Sequence, residues 1–319
     1  MDVWDAAQTG RADDLQVLLH FRPPSRKVMA SALHVAARND HAEAVDVLIR
    51  ARALINDWGE DRIAPLFAAA HAGSAGAVRA LLQARADVNR VERGRASNTP
   101  VAGAALGGHC EVIEILLAAD ADVNVRDVTG VAPLAHAADN GHLDAVELLL
   151  RAGTDIDRAG HEAVYFAAYG RRHDIVKLLV HAKASVNSRR RGWGLSLLSR
   201  AACSDRDDIV QLLLTLGADA ARTGDERGTP LMTAVVCGSV KVVACLLAHD
   251  NRLASAPITV NTRIDGLELL AGDMPIDLAR GYHSLEKKQI AALLQAAAEE
   301  SAGAGGGAGG DGDTQRSPP

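Results

Sequence analysis

The chain has 319 residues, a formal net charge of -6 and a hydrophobic content of 48%, of which aromatics supply only 3% of the chain. The apolar mass is therefore Ala, Leu and Val, which suits thin layers of closely packed helices and disfavours a broad sheet sandwich. The negative balance disfavours a surface built wholly for polyanions, although it leaves room for a local basic face.

The N-terminus, MDVWDAAQTG, is acidic, and it has neither a basic n-region nor an apolar core. No uninterrupted apolar run approaches the roughly 18 residues needed to span a bilayer. We expect no membrane insertion and an intracellular chain, cytoplasmic or nuclear.

From there the sequence repeats. Small-residue pairs fall at Ala36-Ala37, Ala69-Ala70, Ala104-Ala105, Ala137-Ala138, Ala167-Ala168, Ala201-Ala202 and Ala234-Val235, in steps of 33, 35, 33, 30, 34 and 33 residues. Apolar pairs follow at Leu48-Ile49, Leu81-Leu82, Leu116-Leu117, Leu149-Leu150, Leu179-Val180, Leu213-Leu214 and Leu246-Leu247, each 12 residues after its partner. The segment between pairs thus has a fixed geometry, and all variation in length falls in a surface loop.

Residues 99 to 124, TPVAGAALGGHCEVIEILLAADADVN, show how a unit is built. Pro100 suits the first turn of a helix and Thr99 can cap it, whereas Gly107-Gly108-His109 breaks the chain. A second helix follows, with Val112, Ile113, Leu116 and Leu117 on one stripe and Glu111 and Glu114 on the other face. Neither helix can bury its stripe alone, so a unit is stable only when stacked on others. The alanine pairs let neighbouring helices approach closely.

This unit resembles the ankyrin repeat. The helix-start motif of that family is matched by SALHVAA (31 to 37) and TPLMTAV (229 to 235), and more loosely by APLFAAA, TPVAGAA and APLAHAA. Gly108-His109 and Gly141-His142 match its turn, and LLQARADVN, LLAADADVN and LGADA match its tail. The resemblance implies an all-α solenoid of helix-turn-helix units with β-hairpin-like finger loops, over residues 1 to 299. About nine units are expected, the first (3 to 20) and last (274 to 295) being degenerate caps with a polar outer face. Residues 300 to 319, SAGAGGGAGGDGDTQRSPP from 301 on, are expected to be a Gly-rich disordered tail. Arg52, Arg85, Asp120 and Lys183 stand where the family prefers Gly after the second helix. A left-handed conformation there would cost on the order of 1 kcal/mol each.

The resemblance also implies a non-catalytic scaffold that binds another protein through a groove of first helices and through the fingers. The fingers are expected near 57 to 63, 90 to 98, 125 to 131, 158 to 161, 188 to 195, 222 to 228 and 251 to 273, the last more simply a degenerate repeat than a binding loop. Arginines recur there, and SRRRGW (188 to 193) is the densest cluster. It has three readings: a solvated turn, a site for an acidic protein segment, or a nucleic-acid contact. Candidate partner contacts are Trp58, Arg93, Arg95, Arg126, Tyr169, Arg171, Arg190, Arg191, Trp193 and Arg227. Phe166 is expected in the core.

No constellation for catalysis, no cofactor and no metal site is expected. His161-Glu162 opens an HExxH-like stretch, but Tyr165 stands where the second His is needed. Cys110, Cys203, Cys237 and Cys245 form no CxxC pair and are read as small buried residues in a reducing compartment. A monomer is expected. Two rival readings are a regulatory or substrate-recognition subunit whose catalytic part lies on another chain, and a weak binder of nucleic acid or an anionic surface.

Overall fold

The computed structural model describes residues 2–21, 24–57, 63–91, 98–187, 196–221, 228–257, 262–264, 267–269, 272–280 and 284–304. These fall into two units, Met1–Ser185 and Val186–Pro319.

Among its described residues the first unit holds six helix pairs. They are α1 (Val3–Gln8) with α2 (Ala12–Phe21), α3 (Arg26–Arg38) with α4 (Ala42–Arg50), and α5 (Pro65–Ala72) with α6 (Ala75–Gln83). Then come α7 (Pro100–Gly107) with α8 (Cys110–Ala118), α9 (Pro133–Asn140) with α10 (Leu143–Arg151), and α11 (Ile156–Tyr169) with α12 (His173–His181). The odd-numbered helices pack side by side as an inner layer and the even-numbered ones as an outer layer.

Proline sets where the inner helices start. Pro65, Pro100 and Pro133 each stand four residues before an alanine pair, at the first position of their helix. A residue before proline is pushed out of the helical region, so the helix cannot extend upstream. Ala32 and Ala163 occupy the equivalent places in α3 and α11, and both helices begin earlier, capped by Ser25 and by Asp155. The finger expected at 158 to 161 is therefore absent; its residues, including Arg158, belong to the first turns of α11.

The alanine pairs fill the seam between inner helices, with Ala36, Ala37, Ala69, Ala70, Ala104, Ala105, Ala137 and Ala138 fully buried. Leu48, Leu81, Leu116, Leu149 and Leu179 of the outer helices complete the core. Gly103 makes room for a larger neighbour, because a Cβ on it would lie 3.1 Å from the Phe67 ring.

Two ladders of polar contacts join successive repeats. In the tight turns, His109 Nε2 donates to the His71 carbonyl (3.1 Å) and His142 Nε2 to the Leu106 carbonyl (3.1 Å). Each imidazole occupies space that only glycine leaves open: Gly108 has φ +68°, and a Cβ there would meet His142 at 2.5 Å. In the tails, Asn89 accepts from the Asp122 amide (2.7 Å) and donates to the Asp120 carbonyl (3.1 Å). Asn124 does the same to Asp155 (2.8 Å) and Gly153 (3.4 Å). The Asn of each tail thus anchors the tail of the following repeat. Arg52, Arg85, Asp120 and Lys183 do keep the left-handed conformation, with φ of +64°, +64°, +62° and +74°.

Among its described residues the second unit holds three more pairs: α13 (Leu197–Cys203) with α14 (Asp207–Thr215), α15 (Pro230–Cys237) with α16 (Val240–His249), and α17 (Pro275–Arg280) with α18 (Leu285–Ala304). Here α13, α15 and α17 pack in sequence, as do α14, α16 and α18. Between α16 and α17 lie a 3₁₀ turn, Asn251–Ser255, and a short antiparallel pair, β1 (Thr262–Ile264) with β2 (Leu267–Leu269), in which Arg263 faces Glu268. Helical structure continues past residue 300 to Ala304, and 305 to 319 lie outside the described residues. At the N-terminal cap the outer face is not wholly polar, since Val17 and Phe21 are exposed on α2.

Candidate protein-binding face

The site is built on α11. Arg158, Tyr165 and Tyr169 recur at seven and four residues, which places them on one side of the helix. Tyr165 and Tyr169 stack with ring centroids 6.5 Å apart and planes 4° from parallel, and Phe166 meets Tyr165 edge-on at 5.8 Å. Phe166 is half-buried rather than fully in the core, whereas Tyr169 is 54% exposed.

Two residues further on comes the turn into α12. Eight such turns are described, and the left-handed residue in them is Gly10, Asp40, Gly73, Gly108, Gly141, Arg171, Asp205 or Gly238. Glycine takes this conformation without strain and Asp tolerates it through local hydrogen bonding, but a long side chain bears the full cost of about 1–2 kcal/mol. Arg171, at φ +57°, is the one long side chain among these described turns, and it is exposed two residues after Tyr169.

The finger 125 to 131 lies in the same unit and is described throughout. It closes as a tight turn in which the Asp127 amide donates to the Val131 carbonyl (3.0 Å). The Asp127 carboxylate accepts from the Thr129 amide (2.8 Å), the Thr129 hydroxyl (2.6 Å) and the Val131 amide (2.9 Å), while its other oxygen meets His136 Nε2 at 3.0 Å. Burial works to raise the pKa of this carboxyl. The Thr129 hydroxyl, the two amides and the charge of His136 outweigh that, and hold it below the ordinary carboxylate range.

Arg126 turns inward from this finger. Its Nη1 pairs with Glu162 at 2.9 Å and also donates to the Gly130 carbonyl, and its Nη2 donates to the Arg158 carbonyl. Glu162, on α11, is buried, and Arg126 covers it from the solvent side.

Of the ten candidate contacts, Arg126, Tyr169 and Arg171 are described, all in the first unit, whereas Trp58, Arg93, Arg95, Arg190, Arg191, Trp193 and Arg227 lie outside the described residues. Tyr169 is the last residue of α11 and Arg171 follows it in the turn, whereas the Arg126 guanidinium is committed to partners within the chain. Sequence reasoning passed over Glu162 once the HExxH pattern failed. The signal for it was a carboxylate among apolar neighbours of a helix, which asks for a cation.

A helix-turn-helix stack with these ladders and glycine turns defines a repeat scaffold. The family model described as "Ankyrin repeats (3 copies)" matches residues 3–92, 101–190 and 166–261. The chain belongs to the ankyrin repeat family. It is similar to the human ASB11 ankyrin repeat domain, with 28% identity, a TM-score of 0.59, and coverage of 68% of this chain and 97% of that one. A stretch of 69 residues is 38% identical to the Homo sapiens 2-5A-dependent ribonuclease, covering 22% of this chain and 9% of that protein. Ankyrin repeats are generally protein–protein interaction domains, and the fold is typically non-catalytic. Among the described residues no helix is long and apolar enough to cross a membrane.

Proposed function

We propose that this chain is a non-catalytic adaptor whose inner-helix face binds an acidic segment of a partner protein, with Tyr169 as the anchor and Arg171 as the charge that selects it. The observation that carries this is Arg171 at a turn where the other seven described repeats place Gly or Asp. A residue held in a costly conformation two positions after the exposed Tyr169 points to function rather than to stability. Tyr and Arg are the residue types that dominate binding hot spots, and the Arg fork pairs bidentately with carboxylates. The arginine-bearing fingers, Arg93, Arg95, Arg190, Arg191 and Arg227 among them, extend the same preference for acidic partners.

The test is binding of the full chain to a panel of acidic, neutral and basic peptides, compared with Tyr169→Ala and Arg171→Gly. Preference for acidic peptides, weakened at least about tenfold in either variant, supports the reading. Equal binding by all three proteins contradicts it.

The likeness of one stretch to part of a protein named as a ribonuclease supports a second reading, in which the repeats are the recognition part of an assembly whose catalytic part is on another chain. Co-purification of an enzymatic activity, lost in Tyr169→Ala, distinguishes it from a simple adaptor.

A further inference from the structure

Cys203 is the last residue of α13 and Cys237 the last of α15, neighbouring inner helices of the second unit, and their sulfurs are 2.8 Å apart. By the alanine register Cys203 matches Val236. Cys237 in turn matches Ser204, so the two thiols stand one register position apart at the C-terminal ends of adjacent helices. Closing the pair to a disulfide length of about 2.05 Å needs about 0.8 Å of movement. Both residues are half-buried, within reach of a small oxidant.

A third group bears on the pair. Lys287, on α18, is 7% exposed, and its ammonium donates to the carbonyls of Val235 and, at 2.8 Å, Val236, the last carbonyls before Cys237. Burial works to lower the Lys287 pKa, and Cys237 opposes this, so the two side chains feel each other electrostatically. The C-terminal end of a helix disfavours a thiolate, and a cation placed there offsets that effect. The other two cysteines lack such help. Burial pushes Cys110 up, with Asp144 and Glu114 adding to it, and burial pushes Cys245 up, with Asp207 adding to it.

We infer that Cys203 and Cys237 form an oxidant-responsive dithiol, with Cys237 as the attacking thiolate, Cys203 as the resolving thiol and Lys287 as the positioning cation, and that its substrate is a small peroxide. The Cys237 thiolate attacks one peroxide oxygen, the O–O bond breaks, and the departing hydroxide takes a proton to leave as water. Cys237 is then a sulfenic acid. Cys203 sulfur attacks the Cys237 sulfur, the S–O bond breaks, and the second oxygen leaves as water with the thiol proton. Two thiols lose two electrons in all, and one peroxide becomes two waters. The product ties α13 to α15.

The full chain is treated with hydrogen peroxide, remaining thiols are alkylated, and the digested peptides are weighed. The expected result is a Cys203–Cys237 cross-linked peptide that forms while Cys110 and Cys245 stay reduced. In Cys203→Ser, Cys237 should accumulate as a sulfenic acid trapped by dimedone. Lys287→Met should slow Cys237 oxidation about tenfold, because the thiolate loses its neighbouring cation, whereas Lys287→Arg should keep the rate. Absence of the cross-linked peptide, or oxidation of Cys110 and Cys245 as fast as the pair, would overturn the inference. So would an unchanged rate in a folded Lys287→Met, or a rate lost equally in Lys287→Arg, which would mean that Lys287 only staples α18 to α15.

Discussion

Arg126, on the finger before α9, forms a 2.9 Å ion pair with Glu162 on α11, across 36 residues of chain. The finger is thereby fastened to an inner helix beyond its own repeat. A buried carboxylate stripped of its cation is costly, so Arg126→Ala should destabilise the first unit by about 3 kcal/mol in urea denaturation. Arg126→Met combined with Glu162→Leu should recover most of that loss, because the penalty is an uncompensated charge rather than a missing attraction. If the double variant were as unstable as Arg126→Ala, the pair would be acting through packing instead.

The tail ladder predicts a second effect. Asn124→Ala removes the contacts to the Asp155 amide and the Gly153 carbonyl at once, and should cost about 1–2 kcal/mol in the same assay. Asn124→Asp keeps the acceptor but not the donor, and should fall between the two.

The turns predict opposite outcomes for glycine. Gly108→Ala meets both a left-handed backbone and the His142 ring, and should cost more than about 2 kcal/mol. Arg171→Gly relieves a left-handed arginine and should raise stability by up to about 1 kcal/mol, while weakening partner binding. A variant that gains stability and loses affinity separates the site from the scaffold.

Asp127 makes stability depend on acid. Its folded pKa lies below the unfolded value, so its contribution is present above the unfolded carboxylate pKa of about 4 and is lost as pH falls through the folded value. The stability difference between the wild type and Asp127→Asn, followed by thermal melting, should therefore be largest near neutrality and shrink below about pH 4.

The repeat itself was legible because its signals are local and recur. Alanine pairs, leucine pairs and Pro at the helix start each have a steric reason that holds within one unit. The finger expected at 158 to 161 was misread because a spacing of 30 residues looks like a short loop, whereas Ala163 in place of Pro removes the barrier that stops a helix from extending back to Asp155. Glu162 and the Cys203–Cys237 pair were missed for a different reason. Their partners lie 36 and 34 residues away, in the neighbouring repeat, and a period read within one unit does not say which side chains of two units touch. Tyr169 and Arg171 were readable as candidates, but the cost of Arg171's backbone becomes visible only when the eight turns are compared in space.

On the proposed reading, the α11 end of the inner face meets a partner protein. A photo-activated cross-linking residue placed at Tyr169, and separately at Asp144 on outer helix α10, tests it most directly in cells that express the full chain. A discrete protein adduct is expected at Tyr169, lost with Arg171→Glu, and none at Asp144. Adducts of the same proteins from both positions, or none from Tyr169, would contradict it.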